Sequence, residues 1–380
     1  MIYLDNAATT PIDPRVAKAM GELLITTYGN ASSKFYQQSE DAKKIVGDAR
    51  DRIASFLTCK PNEVVFTGGA TESNNLIIKG ITFPFLQRNE KVHLVTSKVE
   101  HKATLETCRE LEKFGVEVTY LDVDEYGRVN YTDLKNALTE NTKLVSLIWG
   151  NNELGSLNPI EEIAIILNLF KIPFHVDGTQ VYGKRVINLS KVPIDFLSFS
   201  AHKVYGPKGI GGCFIRRDQY DLLPEITPLI HGGQQEFGLR AGTECIHNIL
   251  GLGLATEIAQ NEMKEYIESI IKLESEFIRE MNSKIPSASI NSPLDQKVPG
   301  ILSVTISDLN SELFLKWASS HFALSTGSAC ALGEKSHVLS AVSKGEQTED
   351  TIRVSFGKFT EIDSIKLVDT IIQYLHEYSL

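Results

Sequence analysis

The feature that most constrains this sequence is an alternation of short apolar runs with helical patterns between residues 60 and 220. The runs with the length and residue types of strands are 64–67, 92–96, 116–121, 144–149, 173–177 and 196–200. Helical patterns, such as those at 103–114 and 160–170, fall between most of them. This alternation predicts an α/β fold with a mostly parallel sheet and helices on its faces. Ligands of such sheets bind beyond the carboxyl ends of the strands, so the polar residues there are the candidates for a site.

The chain is long enough for two domains, because its 380 residues exceed the usual size of one. We expect a large domain over 14–257 and a smaller α+β domain built from 1–13 and 258–380. A long helical pattern at 252–281 joins them. Near the start of the chain, Asp13-Pro14 predicts an N-cap followed by proline at the first position of a helix. In the C-terminal part, strand patterns at 301–306 and 352–355 are followed by a helical pattern at 362–378.

Charge and cysteine usage exclude several classes of protein. The formal net charge of −10 argues against a surface built to bind nucleic acid phosphates. No apolar run reaches the ~18 residues that cross a membrane, and the first residues lack the basic and apolar regions of an export signal. Five cysteines without a CxxC pair argue against a disulfide framework or a compact zinc knuckle. They fit a reducing cytoplasm.

A glycine-rich turn follows the first apolar run. Residues 67–75 read TGGATESNN, and we expect a helix to begin near Glu72. The free backbone N–H groups and the positive dipole end of a helix N-terminus suit a phosphate. The alternative is a tight turn with Thr71 as a simple N-cap, since the segment is neither a P-loop nor a GxGxxG motif.

Two later strand ends carry ionisable residues. Asp177 closes the run at 173–177, where a carboxylate needs a donor or cationic partner such as a protonated ring nitrogen. The alternative is an acid that only shapes the turn. Lys203 lies between two apolar segments, where burial would lower its pKa and favour reaction with a carbonyl compound. The alternative is an ordinary solvated lysine.

One cysteine differs from the others in its surroundings. Cys330 ends the segment STGSAC at 325–330, whose small residues predict an exposed, flexible stretch. A thiol there is nucleophilic if its thiolate is favoured, whereas the alternative is an incidental loop cysteine. We interpret Cys59, Cys108 and Cys213 as packing residues.

Taken together, these segments resemble the cysteine desulfurases of the NifS/IscS type, which are class V, fold type I enzymes that use pyridoxal 5′-phosphate. The matching segments are 3–11 (YLDNAATTP), 29–33 (GNASS), 69–75 (GATESNN), 100–103 (EHKA), 151–155 (NNELG), 175–177 (HVD), 200–203 (SAHK), 238–243 (GLRAGT), 325–330 (STGSAC) and 352–355 (IRVS). The cysteine segment continues as ALGE and resembles that of the group with a long mobile active-site loop. The resemblance therefore runs nearly from end to end.

The resemblance implies a role for each matching residue. Lys203 would attach covalently to the cofactor, Asp177 would pair with its ring nitrogen, and His101 would stack on the ring. Other side chains would contact the cofactor, namely Ala70, Thr71, Asn152, Gln180, Ser200 and His202, with Thr243 reaching in from the partner subunit of a homodimer. Arg353, assisted by Asn30, would bind the substrate carboxylate.

The implied activity is removal of sulfur from L-cysteine, which yields L-alanine and a persulfide on Cys330. That sulfur would pass to an acceptor protein, such as an iron–sulfur scaffold or a sulfur relay protein, for cluster assembly, tRNA thiolation or DNA phosphorothioation. The alternatives are a selenocysteine lyase and a class V aminotransferase, which would need Lys203 and Asp177 but not Cys330. A fold without activity and a nucleotide-dependent enzyme are less consistent with the motifs.

The sequence departs from the family pattern at four positions. Gln234 stands where glycine is frequent and Phe237 where arginine is frequent. Ala31 replaces the usual proline, and Gly150 replaces a larger residue before the asparagine pair. None of the four removes a group to which the resemblance gives a catalytic role.

Overall fold

The computed structural model describes residues 1–326, 336–342 and 349–378. The strands in this part of the chain are β1 Ile2–Tyr3, β2 Val64–Thr67, β3 His93–Ser97, β4 Glu117–Leu121, β5 Thr142–Ile148, β6 Phe174–Asp177, β7 Phe196–Ser200, β8 Gly211–Ile215, β9 Ala288–Ile290, β10 Ile301–Ile306, β11 Phe322–Ala323 and β12 Thr351–Ser355. The α-helices are α1 Pro14–Thr26, α2 Gln37–Leu57, α3 Ala70–Gln87, α4 Lys102–Glu112, α5 Tyr131–Ala137, α6 Ile160–Phe170, α7 Ile246–Lys284, α8 Ser311–Ala318, α9 His337–Ala341 and α10 Lys366–Tyr378.

The central element is a seven-stranded sheet with the order β2-β8-β7-β6-β5-β3-β4. The strands from β7 to β4 pair in parallel, and only β8 runs antiparallel to its neighbours β2 and β7. Strand residues alternate between the two faces, so that Val64 and Phe66 join one apolar cluster while Val65 joins the other. The structure thus confirms the predicted α/β class with a mostly parallel sheet.

The six strands predicted between residues 60 and 220 are all present, with ends shifted by at most two residues. Between residues 60 and 220, the strand that the sequence did not reveal is β8, which begins with Gly211 and Gly212. A Cβ at Gly211 would come 2.5 Å from the Phe199 carbonyl oxygen and 2.7 Å from the Gly69 Cα. Glycine is therefore required where β8 passes the turn after β2, although glycine is unfavourable for a strand elsewhere.

Two helix starts test the capping predictions. Helix α1 begins at Pro14, and the Asp13 side chain accepts a hydrogen bond from the Arg15 N–H, as predicted. Helix α3 begins at Ala70 with Gly69 as its N-cap, so the expected start near Glu72 was wrong by two residues. Gly69 has φ +152°, a conformation that side chains disfavour, and this is why the helix begins at the glycine instead of at a polar cap.

The C-terminal part contains a separate antiparallel sheet with the order β12-β10-β9, and β1 pairs in parallel with β11. An apolar cluster on this sheet includes Leu4 together with Tyr266 and Phe277 from the second half of α7. The division into domains at 257/258 stays a prediction. Among the described residues, no helix is long and apolar enough to span a membrane.

A network of charged side chains joins three distant parts of the chain. The Lys358 Nζ lies 3.0 Å from Asp13 Oδ2 and 2.7 Å from Glu262 Oε2, and Arg15 pairs with the same two acids. Hydrogen bonds from Arg15 first, and from Lys358 second, lower the pKa of the Glu262 carboxyl to about 2. Hydrogen bonding to Arg15 likewise lowers the pKa of Asp13. The backbone N–H of Lys358 also donates to the Tyr205 hydroxyl, which is 2.6 Å away. Tyr205 is two residues beyond Lys203 in the sequence.

Replacing Lys358 with methionine is expected to lower the free energy of unfolding by about 1–2 kcal/mol, because it leaves the buried Asp13 with a single cationic partner. Thermal unfolding near pH 7 measures the loss. The carboxyl pKa values are lowered in the folded state, so their stabilisation is complete above the unfolded value of about 4 and is lost as pH falls. The difference between the proteins should therefore shrink near pH 2. The control is Lys366→Met, which breaks an exposed pair with Asp363 and should change stability little.

Candidate active site

A cavity of about 870 Å³ opens at the carboxyl ends of the central strands. It collects most of the side chains that the resemblance singled out: Ala70, Thr71, His101, Asn152, Asp177, Gln180, Ser200, His202, Lys203 and Arg353. They come from the turns after five strands, β2, β3, β5, β6 and β7, and from β12 of the C-terminal sheet. Residues far apart in sequence meet here because parallel strands bring their ends to one edge.

Lys203 ends the 3₁₀ turn that follows β7. Its ammonium donates to the backbone carbonyls of Ala7 and Ala8 at 2.5 and 2.6 Å. Burial, followed by the positive charges of Arg353 and Lys184, lowers the pKa of Lys203 to about 7, and Asp5 and Asp177 oppose this shift. A large fraction of Lys203 is consequently a neutral, nucleophilic amine near neutral pH.

Asp177 is the last residue of β6, lines the cavity and is only 4% exposed. One carboxylate oxygen accepts from Asn74 Nδ2 at 2.8 Å, and the other accepts from the Thr179 N–H at 3.0 Å and from its hydroxyl at 2.5 Å. Asn74 in turn is 3.3 Å from the Thr104 hydroxyl. These donors fix the direction of the carboxylate, which agrees better with a ligand-binding acid than with a simple turn residue.

The start of α3 forms the other end of the cavity. Gly68, Gly69, Ala70 and Thr71 line it, and the backbone N–H groups of a first helical turn have no acceptor within the helix. A Cβ on Gly69 would lie 3.5 Å from Ser200 Oγ, so the turn and the end of β7 are in close contact. Together with the neighbouring hydroxyls, this cradle fits a phosphate.

Two histidines face the cavity in their neutral form. His101 is the N-cap of α4, where its Nδ1 accepts from the Ala103 N–H at 3.1 Å, and burial lowers its pKa. The proton of the neutral ring is then on Nε2. His202 Nδ1 lies 3.1 Å from the Thr9 hydroxyl, and burial, with the charges of Lys203 and Lys208, lowers its pKa to about 4.

Arg353 reaches the cavity from β12 and is 2% exposed. Its Nη1 donates to the Asn152 carbonyl at 2.9 Å and its Nη2 donates to Asp5 Oδ1 at 2.7 Å. Among the described residues, its Nε has no hydrogen-bond partner. A buried guanidinium with an unused donor is suited to a carboxylate ligand.

Two expected site residues, Asn30 and Thr243, do not line this cavity, and a third falls outside the described residues. Asn30 lies in the loop after α1, where its Oδ1 accepts from the Ser32 N–H at 2.8 Å, and it does not line the cavity. Thr243 is exposed and is not among the residues that line it. Cys330 falls outside the described residues. Of the cysteines expected to pack, Cys108 and Cys213 are buried and Cys59 is partly buried, and burial raises the pKa of each thiol.

Several residues of the site were not assigned a role from the sequence. Asn74 and Thr179 hold Asp177, Asp5 pairs with Arg353, and the Ala7 carbonyl accepts from both Lys203 and Gln180. The signal that could have identified these residues is that Asn74 and the segment 3–11 belong to the motifs that match the family. Their contacts join residues far apart in the sequence, which no local pattern specifies.

The departures from the family pattern have local explanations at two positions. At Gly150, a Cβ would lie 2.5 Å from Val298 Cγ2, so this chain has no room for a larger residue. The Phe237 ring lies between Arg50 and Arg217, whose guanidinium carbons are 5.1 and 5.2 Å from its centroid. Nothing in the structure explains Gln234 or Ala31.

The donor set matches a phosphorylated aromatic aldehyde with a ring nitrogen. The neutral amine of Lys203 is suited to the aldehyde, and the oriented carboxylate of Asp177 is suited to a protonated ring nitrogen. The glycine-rich start of α3 is suited to the phosphate. The residues present therefore fit pyridoxal 5′-phosphate.

Comparisons with known proteins identify the family of this chain. The model of the family described as "Aminotransferase class-V" matches residues 2–368. The chain is 39% identical to a cysteine desulfurase IscS of Dictyoglomus turgidum, covering 99% of this chain and 94% of the relative. It is 41% identical to that of Pectobacterium carotovorum, covering 100% and 94%. A mitosomal cysteine desulfurase of Encephalitozoon cuniculi is 40% identical, with coverages of 97% and 84%.

Solved structures give the same result. A NifS-like protein superposes with a TM-score of 0.91 at 34% identity over 99% of both chains. SspA in complex with cysteine superposes with a TM-score of 0.82 at 37% identity, covering 95% of this chain and 100% of the other. The expected family, fold and cofactor are confirmed: the chain belongs to the class-V aminotransferases, and within them to the pyridoxal 5′-phosphate-dependent cysteine desulfurases.

Proposed function

We propose that this chain removes sulfur from L-cysteine with pyridoxal 5′-phosphate in the cavity at the carboxyl ends of the central strands, and that Cys330 receives the sulfur. The observation that carries the proposal is the meeting of Lys203, Asp177 and Arg353 in one cavity of about 870 Å³. An amine, an oriented acid and a guanidinium are the groups that an amino acid and this cofactor require. The solved structure of SspA is in complex with cysteine, which supports cysteine as the substrate.

The cofactor would be held by residues at both ends of the cavity. Lys203 would attach to its aldehyde, Asp177 would accept a hydrogen bond from its ring nitrogen, and the start of α3 with Ser200 and His202 would bind its phosphate. His101 would lie against the ring. When bound, the cofactor withdraws electrons from the amino acid attached to it.

The substrate carboxylate would bind to Arg353. The contacts with Asp5 and the Asn152 carbonyl already fix the guanidinium plane, so little conformational entropy is lost when a carboxylate arrives. Its Nε, which has no hydrogen-bond partner in the described part of the chain, would supply one donor, and a forked contact would also engage a terminal nitrogen. In our proposal, Asn30 assists Arg353 in binding the carboxylate, although in the structure of the single chain it does not line the cavity.

Proton transfer at the substrate Cα would be carried out by Lys203. The pKa of about 7 leaves a large fraction of its amine unprotonated at neutral pH, as a general base requires. An ordinary lysine, with a pKa of about 10.4, would be almost entirely protonated there. Burial therefore gives this lysine its basic function.

Cys330 would complete the reaction. Its thiolate attacks the sulfur of the substrate, the new S–S bond forms as the Cβ–S bond breaks, and the carbon is protonated to give L-alanine. Cysteine plus the Cys330 thiol thus become alanine plus a Cys330 persulfide, without an external oxidant or reductant. The persulfide would then pass its outer sulfur to an acceptor protein, an iron–sulfur scaffold or a sulfur relay protein.

We also infer that the active form is a cytoplasmic homodimer in which Thr243 contacts the cofactor phosphate of the partner subunit. Thr243 is exposed and does not line the cavity of its own chain, which agrees with this arrangement. Tyr28 and Phe35 are 79% and 94% exposed in the single chain, which agrees with an interface between two subunits. Sedimentation equilibrium should give twice the chain mass of 42.1 kDa.

The experiment that tests the function combines a visible spectrum with mass spectrometry. The purified protein, loaded with pyridoxal 5′-phosphate, should be yellow, and incubation with L-cysteine should release alanine and add one sulfur atom to the peptide that contains Cys330. A protein that releases no alanine, or that gains sulfur on another cysteine such as the exposed Cys245, would contradict the proposal. Comparing the rates of alanine release from L-selenocysteine and from L-cysteine distinguishes a desulfurase from a selenocysteine lyase.

Replacing Arg353 with lysine should lower kcat/KM for L-cysteine by about 10- to 100-fold, mainly through KM. Lysine keeps the positive charge but loses the planar fork, and a hydrogen bond to a charged group contributes about 1.5–3 kcal/mol. Steady-state kinetics with cysteine measures the change. The matched control is Arg109→Lys, at an exposed helix position paired with Glu106, which should retain full activity. An unchanged KM in the Arg353 variant would remove this residue from substrate binding.

A further inference from the structure

A second lysine near the proposed catalytic groups, Lys184, is partly buried. Lys184 lies four residues after Gln180 in the turns that follow β6, and its Nζ is 3.3 Å from Gln180 Oε1. Its side chain is partly buried, whereas most lysines of the chain are exposed. Burial, and after it the charge of Arg353, lowers the pKa of Lys184 to about 8. It is therefore still mostly cationic at pH 7, in a place where a cation is costly.

The contact of Lys184 determines how Gln180 is oriented. A glutamine amide has a donor end and an acceptor end that a rotation of 180° exchanges. The Lys184 ammonium has only donors, so it selects the orientation with Oε1 toward itself and Nε2 on the other side. That Nε2 donates to the Ala7 carbonyl at 2.8 Å, the same carbonyl that accepts from Lys203. Gln180 itself lines the cavity.

We propose that Lys184 is a positioning residue: its ammonium fixes the Gln180 amide with the N–H toward the cofactor site and adds a positive charge behind Lys203. The inference rests on the proposed function and on the position that the family resemblance implies for Gln180, near the phenolic oxygen of the cofactor. A donor held toward that oxygen favours its ionised form, because hydrogen bonding to a charged form stabilises it. Without the cation, the amide can turn and present its oxygen instead.

The charge of Lys184 acts on Lys203 together with groups from every neighbouring element. Arg353 of β12 and Lys184 lower the pKa of Lys203, whereas Asp5 and Asp177 raise it. The neutral histidines His101 and His202 also face Lys203, and its charge contributes to their lowered pKa values. Removing the Lys184 charge leaves the other contributions in place, so the pKa of Lys203 should rise.

The test compares the neutral variant Lys184→Met with the charged variant Lys184→Arg, both as apo-protein. Cyanate carbamylates only the unprotonated amine, so the rate at which the Lys203 peptide is modified, followed by mass spectrometry against pH, reports the Lys203 pKa. We expect the midpoint to rise by about 0.5 to 1 in Lys184→Met and to stay near the wild-type value in Lys184→Arg. Lys191→Met, at an exposed position, is the control for loss of a distant charge.

A second readout uses the loaded enzyme. The pH at which the spectrum of the bound cofactor changes should move to higher pH in Lys184→Met, because a neighbouring positive charge has been removed. Lys184→Gln serves as a second neutral variant should the methionine protein fail to fold. A Lys203 midpoint that is unchanged in a folded neutral variant overturns the inference. Because the apo-protein measurement needs no turnover, it stays decisive even if the wild-type protein releases no alanine, an outcome that contradicts the proposed function instead.

Discussion

Lys203→Ala is expected to abolish the covalent attachment of pyridoxal 5′-phosphate and to reduce alanine release from L-cysteine by at least about 10⁴-fold. Two functions are lost at once, the amine that holds the cofactor and the base that takes the Cα proton, and removing a group with a central catalytic role has effects of this order. The measurements are the visible spectrum after extensive dialysis, the mass of the protein after borohydride reduction, and the alanine yield.

A second variant separates the loss of the reactive amine from the loss of the positive charge at position 203. Lys203→Arg keeps a cation near the Ala7 and Ala8 carbonyls, but a guanidinium does not lose its proton near neutral pH. Both variants should therefore be colourless after dialysis and inactive, with circular dichroism spectra like that of the wild type. A yellow, active Lys203→Arg protein would show that another amine attaches the cofactor.

The pH dependence of cofactor loading follows from the same lysine. Because burial lowers the pKa of Lys203 to about 7, the reactive neutral amine increases as pH rises through 7 and changes little above about pH 8. The rate of loading of the apo-protein should accordingly rise between about pH 5.5 and 8 and level off beyond. A lysine with an ordinary pKa of about 10.4 would give a rate that continues to rise up to pH 10.

The sequence pattern identified the elements that form the cavity because they depend on local chemistry. Apolar runs of four to six residues predicted β2 and β7 with their observed ends, and the polar residues after such runs, Asp177 and Lys203, do face one site. The Asp13-Pro14 pair likewise predicted the start of α1. In each case the signal lies within a few residues of the feature that it specifies.

The parts that were missed depend on contacts between distant segments. β8 opens with two glycines and pairs antiparallel, so neither its composition nor the strand–helix alternation indicates it. The pairing of Arg353 with Asp5 joins residues 348 positions apart. Helix α3 begins at Ala70 because its N-cap, Gly69, has a backbone conformation that side chains disfavour. The close packing of Gly69 against β7 and β8 explains this conformation. Such features require the tertiary structure.

Cys330→Ser is expected to eliminate the persulfide and to lower alanine release, measured without added thiol, by on the order of 10³-fold. A serine hydroxyl is a far weaker nucleophile toward sulfur than a thiolate, so the Cβ–S bond of the substrate has no acceptor for its sulfur. Cofactor binding does not need this thiol. The variant should therefore remain yellow, and its spectrum should still change when L-cysteine is added.

Cys245→Ser is the matched control, since Cys245 is the exposed cysteine among the described residues. It should keep full activity and its persulfide, which shows that loss of a surface thiol is not sufficient to stop the reaction. If Cys330→Ser instead released alanine and sulfide at the wild-type rate without reductant, sulfur would leave by elimination, and Cys330 would have no part in the chemistry. Loss of alanine release with retained binding of cysteine is the combination that assigns the sulfur-accepting step to Cys330, because Lys203 and Arg353 remain in place to bind and deprotonate the substrate.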